Sequence, residues 1–169
     1  TFIEAPDYET KDSYSITLTL TDGTETVTKD VTITIVDVND AAPIFTSDAT
    51  FSAAENQTAI GTVTATDPEG DSFNFSISGT ELSITSEGVL SFISAPDYET
   101  KATYTTTVTV VDTEDNTATQ DITVNVTNVN DVAPEFTSDA TFNAEENQTA
   151  IGTVTATDVE GDDVTFTVS

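Results

Sequence analysis

The nine residues "DVNDAAPIF" (Asp37–Phe45) recur as "NVNDVAPEF" (Asn128–Phe136), 91 positions further along the chain. Each copy directly follows a long β-like run and contains a proline. Because proline has no backbone N–H and a fixed φ, it cannot continue the hydrogen-bonded ladder of a strand. The sequence therefore predicts that each copy is a linker, at which one β-domain ends and the next begins.

Other phrases recur at nearly the same distance. "FIEAPDYETK" (Phe2–Lys11) returns as "FISAPDYETK" (Phe92–Lys101), 90 positions on. A period near 90 residues is too long for helical or leucine-rich solenoid units and is typical of a β-sandwich domain of about 100 residues. We therefore predict half of a repeat in residues 1–42, a complete repeat in residues 43–132, and half of a following repeat in residues 133–169.

Within the complete repeat, apolar and polar residues alternate in short segments such as "SFNFSIS" (Ser72–Ser78) and "TYTTTVTVV" (Thr103–Val111). Alternation with a period of two buries one face of a strand and exposes the other, and Gly, Asp and Asn stand at the breaks. No stretch has the pattern of an amphipathic helix. The sequence predicts an all-β fold of tandem Greek-key β-sandwich domains, immunoglobulin-like and joined end to end.

The composition limits the kinds of partner. Acidic residues number 31 against three lysines, which gives a formal charge of -28. Such a chain repels nucleic acid and anionic bilayers, so we expect cations or neutral surfaces as partners. Cysteine and histidine are both absent, which excludes disulfides and Cys- or His-based metal sites. No apolar run approaches the length that spans a membrane.

The acidic residues of the complete repeat gather in predicted loops and at strand ends. They are Glu55, Asp67, Glu69, Asp71, Asp97, Glu99, Asp112 and Asp131. Hard divalent cations take six to eight oxygen ligands, which loops at one end of a sandwich can supply. Acidic loops also keep a sandwich soluble, and that interpretation fits any single aspartate equally well. Recurrence of the whole set at fixed positions favours a metal site.

These motifs give the chain a resemblance to tandem cadherin repeats, of the divergent kind found in large bacterial surface proteins. The resemblance covers the whole chain and keeps the family's order of motifs. It is carried by Glu55-Asn56 and Glu146-Asn147, by Asp7-Tyr8-Glu9 and Asp97-Tyr98-Glu99, by the two linkers, by Asp67-Pro68-Glu69 and Asp158-Val159-Glu160, and by Asp22 and Asp112.

Cadherins bind calcium ions at the junctions between successive repeats, so the resemblance implies a Ca2+ site shared by two repeats. At the first junction the implied ligands are Asp7, Glu9, the Val38 carbonyl, Asn39, Asp40, the Ala41 carbonyl, Asp67, Glu69 and Asp112. At the second junction they are Glu55, Asp97, Glu99, the Val129 carbonyl, Asn130, Asp131, the Val132 carbonyl, Asp158 and Glu160. Like charges about 4 Å apart cost on the order of 1 kcal/mol per pair even in water, so an empty junction is expected to splay.

The sequence departs from the family pattern in three places. Tyr8 and Tyr98 stand in the middle of their motifs, where cadherins often carry arginine, and Asn128 replaces the first linker aspartate. Asp71 stands beside Glu69 as a competing ligand. The chain also lacks the tryptophan with which many vertebrate cadherins anchor an exchanged strand.

The resemblance implies a calcium-stiffened spacer in a secreted or cell-surface, extracellular adhesin or fibre. Its partners would be adjacent repeats of the same or of neighbouring chains, so that the sequence is a window of a longer array or a fragment whose halves complete each other as a filament. The alternative is a carbohydrate-binding module, for which the candidate aromatic residues are Tyr8, Tyr14, Tyr98 and Tyr104. We expect Tyr14 and Tyr104 to pack inside the sandwich instead.

An enzyme is the least favoured class. Paired carboxylates such as Asp97 and Glu99 could serve a glycosidase. However, no set of pocket-forming aromatic residues accompanies them, and histidine is absent. We therefore expect a non-enzymatic protein.

Overall fold

A computed structural model describes all residues of the chain, Thr1–Ser169. Its regular elements are all β-strands, as predicted, and it has no long apolar helix of the kind that crosses a membrane. The strands are β1 (Ser13–Thr21), β2 (Thr26–Thr34), β3 (Ile44–Phe45), β4 (Thr50–Ala54), β5 (Ala59–Thr62), β6 (Ala65–Thr66), β7 (Phe73–Ile77), β8 (Leu82–Ile84), β9 (Val89–Phe92), β10 (Thr103–Asp112), β11 (Thr117–Thr127), β12 (Glu135–Phe136) and β13 (Ala156–Thr157).

Two sheets form the sandwich of the complete repeat. One has four strands in the order β4-β11-β10-β7, and the other has three in the order β5-β9-β8, with the short pair β3-β6 beside them. The pairs are antiparallel except for β4 and β11, which run parallel. The chain crosses repeatedly from one sheet to the other between consecutive strands, which confirms the predicted β-sandwich.

The core lies between these sheets and follows the alternation of the sequence. On β11, Ile122, Val124 and Val126 are buried, whereas Thr123 between them is half-buried and Asn125 is exposed. Successive side chains of a strand point to opposite faces, so every second residue enters the core. The eleven buried apolar residues are Ala53, Val63, Phe75, Leu82, Leu90, Phe92, Val108, Val110, Ile122, Val124 and Val126.

Gly88 fixes the turn before β9. Its φ is +89°, a conformation that L side chains rarely adopt, and a Cβ at this position would lie 2.2 Å from the carbonyl oxygen of Val63. The close approach allows the Val63 amide to donate to the Gly88 carbonyl at 2.9 Å. This contact ties the chain beyond β5 to the turn that leads into β9.

The two flanking segments contain strands but no buried core. β1 and β2 form a hairpin that pairs Ser13 with Thr34, as β10 pairs with β11 in the complete repeat. All buried residues lie between positions 43 and 126. Leu20 of the hairpin is 75% exposed, whereas Val110, at the matching position of β10, is fully buried. The limits of the repeats remain predictions.

Tyr104 packs against the core of the sandwich, as expected, whereas Tyr14 packs against Phe2 in a flanking segment that has no buried core. The Tyr104 ring meets Phe92 edge-on at 5.0 Å, and the Tyr14 ring meets Phe2 in the same way at 5.1 Å. A lysine nitrogen lies over each ring, Lys101 at 4.4 Å from the Tyr104 centroid. These two rings are therefore engaged within the protein and do not form an open binding platform.

Leu90 and Leu20 allow a matched test of where the core lies. Leu90→Ala should lower the free energy of unfolding by about 2–5 kcal/mol, because it removes buried contacts and leaves a cavity. Leu20→Ala removes the same atoms from an exposed site and should change that free energy by no more than about 0.5 kcal/mol. Urea unfolding followed by circular dichroism in EDTA measures both. Equal losses for the two variants would contradict the assignment of the core.

Candidate metal centre

Each linker is held by a glutamate of the repeat that follows it. At the first linker, Glu69 accepts hydrogen bonds from the backbone amides of Asp40 at 2.9 Å and Ala41 at 3.2 Å. At the second, Glu160 accepts from Asp131 at 2.8 Å and Val132 at 3.1 Å. The same contact recurs at both junctions, so the repeating sequence produces a repeating geometry.

The loop that carries Glu69 is shaped by Asp67. One oxygen of the Asp67 carboxylate accepts the backbone amides of Glu69 at 3.0 Å and Asp71 at 3.1 Å, and Gly70 between them has a φ of +82°. The other oxygen, Oδ2, is buried and has no hydrogen-bond partner. A buried carboxylate oxygen without a partner is costly, and a cation would satisfy it.

Carboxylates from both sides of the first linker converge. Oxygens of Glu9, Asp37 and Glu69 lie within 4.8 Å of one another, and so do oxygens of Asp67, Glu69 and Asp71. Of the predicted ligands, Glu9, Asp67 and Glu69 are thus brought together. Asp37 was not among the predicted ligands, although it is the first residue of the recurring linker phrase, and that position was the signal for it.

Three other predicted ligands of this junction lie outside these groups. The Asp7 carboxylate caps its own turn, accepting the amide of Glu9 at 3.1 Å and the hydroxyl of Thr10 at 2.8 Å. Asp40 contacts the junction through its backbone amide, which donates to Glu69. Asp112 is buried in the turn between β10 and β11, where its carboxylate accepts the amides of Glu114 and Asn116.

The second junction brings together four predicted ligands. Oxygens of Glu55, Glu99, Asp131 and Glu160 lie within 4.8 Å of one another, although these residues come from the complete repeat, the linker and the following segment. A second group consists of Asp158, Glu160 and Asp162, of which Asp162 was missed by the sequence analysis. Asp162 corresponds to Asp71 of the preceding repeat, and this repetition was the signal for it.

Asp97 behaves like Asp7 and lies outside both groups of the second junction. Its carboxylate accepts the hydroxyl of Thr100 at 2.8 Å and so caps the turn before β10. The side-chain nitrogen of Asn130 donates to the carboxylate of Asp162 at 2.6 Å. Asn130 is therefore in contact with the acidic residues, whereas Asp97 shapes the loop that carries Glu99.

Glu55 is the most deeply buried of these acids, with an exposure of 3%. Its two oxygens accept the backbone amides of Tyr98 and Val129, each at 2.7 Å. These charge-assisted bonds stabilise a carboxylate away from solvent. The neighbouring Asn56 has a φ of 63° and donates from its side chain to the carboxylate of Asp131. Glu55 therefore joins the loop before β10 to the linker.

The predicted carbonyl ligands are available for binding. The carbonyl oxygens of four linker residues accept no hydrogen bond within the protein. These oxygens belong to Val38, Ala41, Val129 and Val132. Backbone carbonyls beside several carboxylates are the ligands that Ca2+ uses, in larger number and looser geometry than Mg2+ requires. The donor set fits a hard cation.

The pKa values of Glu99 and Asp71 are raised at these junctions. Burial raises the pKa of Glu99, and the negative charges of Glu55 and Glu160 raise it further. Burial also raises the pKa of Asp71, together with the charges of Asp67 and Glu69. A bound cation would compensate these negative charges and lower both pKa values, because it favours the ionised form of every carboxylate around it.

Asp112 differs from these crowded acids. Burial raises its pKa, but hydrogen bonds from the side chain and backbone of Asn116 and from the backbone of Glu114 outweigh burial, so the net shift is downward. The carboxylate of Asp112 is therefore stabilised in its ionised form by the turn that carries it.

Residues 39–125 match the protein family described as the bacterial Ig domain, and the chain belongs to this family. Its repeats are cadherin-like, as the sequence analysis predicted. No curated protein matches the chain.

Solved cadherin structures are similar to the chain over most of its length. Protocadherin gamma B7 domains EC3-6, described as a cis-dimer, is 27% identical with a TM-score of 0.67, covering 79% of this chain and 38% of that one. The human desmocollin-1 ectodomain is 26% identical with a TM-score of 0.65, covering 92% and 34%. Mouse cadherin-23 EC22-24 is 25% identical with a TM-score of 0.61, covering 92% and 56%. The chain thus spans between 34% and 56% of the length of these structures.

Replacing Glu55 tests its bonds to the two amides. Glu55→Ala and Glu55→Gln both remove the charge, but glutamine keeps one oxygen that can accept an amide hydrogen. We expect the alanine variant to unfold with a free energy about 1 kcal/mol lower than the glutamine variant, because alanine accepts neither amide whereas glutamine still accepts one. Urea unfolding in EDTA measures the difference. Equal stability of the two variants would show that these bonds contribute little.

Glu160→Gln tests the electrostatic coupling across the second junction. Removal of this negative charge should lower the pKa of Glu99 towards the ordinary glutamate range, since that charge helps to raise it. NMR titration of the Glu99 carboxyl in calcium-free buffer measures the shift. Glu114→Gln, at the opposite end of β10, is the control and should leave the pKa of Glu99 unchanged. No shift in Glu160→Gln would argue against convergence of these acids in solution.

Proposed function

We propose that the chain is a calcium-binding structural module of an extracellular adhesin or surface fibre, in which calcium at each junction rigidifies successive repeats. The observation that carries the proposal is the convergence of Glu55, Glu99, Asp131 and Glu160 within 4.8 Å. They belong to segments that precede, form and follow one linker. A cation bound there joins both repeats to the linker at once.

The proposed ligands are those of the two predicted sets, with Asp37 added at the first junction and Asp162 at the second. The first junction has an aspartate at linker position 37, whereas Asn128 stands at the matching position of the second. At this ligand position the first linker therefore offers a carboxylate, whereas the second offers an uncharged amide.

The physical role of calcium follows from the electrostatics of the empty site. Without a cation, the carboxylates of the following repeat repel those of the preceding repeat, and only a few hydrogen bonds oppose the repulsion. With calcium bound, the same carboxylates attract a shared charge, so the angle between repeats becomes restricted. Calcium sites of extracellular modules bind at about 10⁻⁴–10⁻³ M. That range suits a site filled outside the cell.

The proposed location and partners rest on the structural relatives, several of which are described as extracellular cadherin domains or ectodomains. We infer that the chain belongs to an array of such repeats and that its immediate partners are adjacent repeats. The carbohydrate-binding alternative is not favoured. Tyr14 and Tyr104 are packed against neighbouring rings, and the exposed Tyr8 and Tyr98 form no pair with another aromatic ring.

Calcium titration of the chain and of one matched pair of variants tests the proposal. Isothermal titration calorimetry should detect calcium binding to the unaltered chain, and Asp131→Asn should remove the sites of the second junction, because it deletes a shared carboxylate. Asp139→Asn is the control, since Asp139 is exposed and lies outside all the acidic groups. It removes the same charge and should bind calcium as the unaltered chain does.

Small-angle scattering provides the structural readout of the same experiment. Calcium should shift the unaltered chain and Asp139→Asn towards a narrower, more extended distribution of shapes, and Asp131→Asn should respond less. Absence of any heat of binding at millimolar calcium, or equal responses of the two variants, would contradict the proposal.

A further inference from the structure

Asn116, in the turn between β10 and β11, contacts the first linker. Its side chain is not part of the predicted site. The side-chain nitrogen of Asn116 donates to the side-chain oxygen of Asn39 at 2.9 Å. The same nitrogen lies 2.8 Å from a carboxylate oxygen of Asp112 and 3.4 Å from the backbone carbonyl of Asn39. Three oxygens from two separate parts of the chain thus converge on one nitrogen atom.

The turn holds Asn116 firmly in this position. The amides of Glu114 and Asn116 both donate to the Asp112 carboxylate, at 2.9 and 2.8 Å, and the Asp112 amide donates to the Asn116 carbonyl at 3.1 Å. Asp112 itself is only 6% exposed. The side chain of Asn39 also reaches Thr113 at 3.4 Å. One rigid turn therefore contacts the linker asparagine through two of its own residues.

This arrangement is a property of the complete repeat and does not recur at the other turns of the chain. The matching turn between β1 and β2 reads "DGTET" and is one residue shorter than "DTEDNT". There the Asp22 carboxylate accepts only the amides of Thr24 and Glu25. At the second linker, Asn130 donates to Asp162. The asparagine of each linker, Asn39 or Asn130, is thus held by a chemically different contact.

We propose that Asn116 is a positioning residue, a latch that holds the first linker against the complete repeat when no cation is bound. The amide group carries hydrogens that attract the oxygens of Asn39 and Asp112, which are the oxygens that the proposed function assigns to calcium. It thereby replaces part of the attraction that an ion supplies. The first junction thereby keeps, at low calcium, a contact between turn and linker that the second junction lacks.

The latch can be measured in EDTA, where the proposed calcium site contributes nothing. The chain has no cysteine, so Val36→Cys and Ser76→Cys introduce two unique sites for spin labels, one before the linker and one on β7. Double electron–electron resonance then reports the distances between linker and repeat. Asn116→Ala should raise the fraction of undocked linker about fivefold, the change expected for one net hydrogen bond of about 1 kcal/mol.

Asn116→Asp is the variant that separates a latch from a general structural role. It has nearly the same shape, but it replaces a donor by an acceptor that repels Asp112, so in EDTA it should undock the linker more than Asn116→Ala does. Saturating calcium should restore the docked distance in both variants. Asn125→Ala, an exposed asparagine on β11, is the control and should leave the distances unchanged.

Two results would overturn the latch. One is a distance distribution of Asn116→Ala in EDTA that matches that of the unaltered chain. The other is a lowered melting temperature of the complete repeat with unchanged distances, which would assign Asn116 to folding of the turn alone. If instead the variants undock in EDTA and calcium fails to restore them, the latch stands and the proposed calcium function fails.

Discussion

The arrangement of the junctions depends on one contact. In it, backbone amides of the linker donate to a glutamate of the following repeat. Glu69 and Glu160 each accept two such amides, and both belong to acidic groups as well. The hydrogen bonds draw the linker towards a loop that the carboxylates of the preceding repeat repel. A junction built in this way is drawn together and pushed apart by the same side chains, so a small change in local charge alters its geometry.

The complete repeat stands apart from this balance because its stability comes from apolar burial. Its core contains no acidic side chain, and the two buried acids, Glu55 and Asp112, lie at opposite junctions, where backbone amides satisfy them. A repeat can therefore remain folded while its junctions change. Because the core and the junctions are separate, a change in ionic conditions can alter the angle between repeats while the fold of the repeat stays the same.

The sequence predicted the long strands and the acidic loops because both recur in its pattern. β7 and β10 follow the quoted alternation closely, and β11 alternates in the same way. Residues 59–66 form two strands instead of one, because β5 pairs with β9 whereas the short β6 pairs with β3. Strands of two or three residues, such as β3 and β8, are too short to show alternation. Asn116 could not be found because its role depends on contacts with Asn39, 77 positions away.

The parallel pairing of β4 with β11 determines how a repeat would carry load. β4 stands near the beginning of the complete repeat and β11 near its end, and their ladder joins Thr50–Ala54 to Thr123–Thr127. Since the strands run in the same direction, tension applied to the two ends of the repeat pulls them past each other along their length. All the hydrogen bonds of the ladder then resist together, whereas in an antiparallel hairpin pulled at its open end they would break one at a time. The fold therefore suits a protein held under tension.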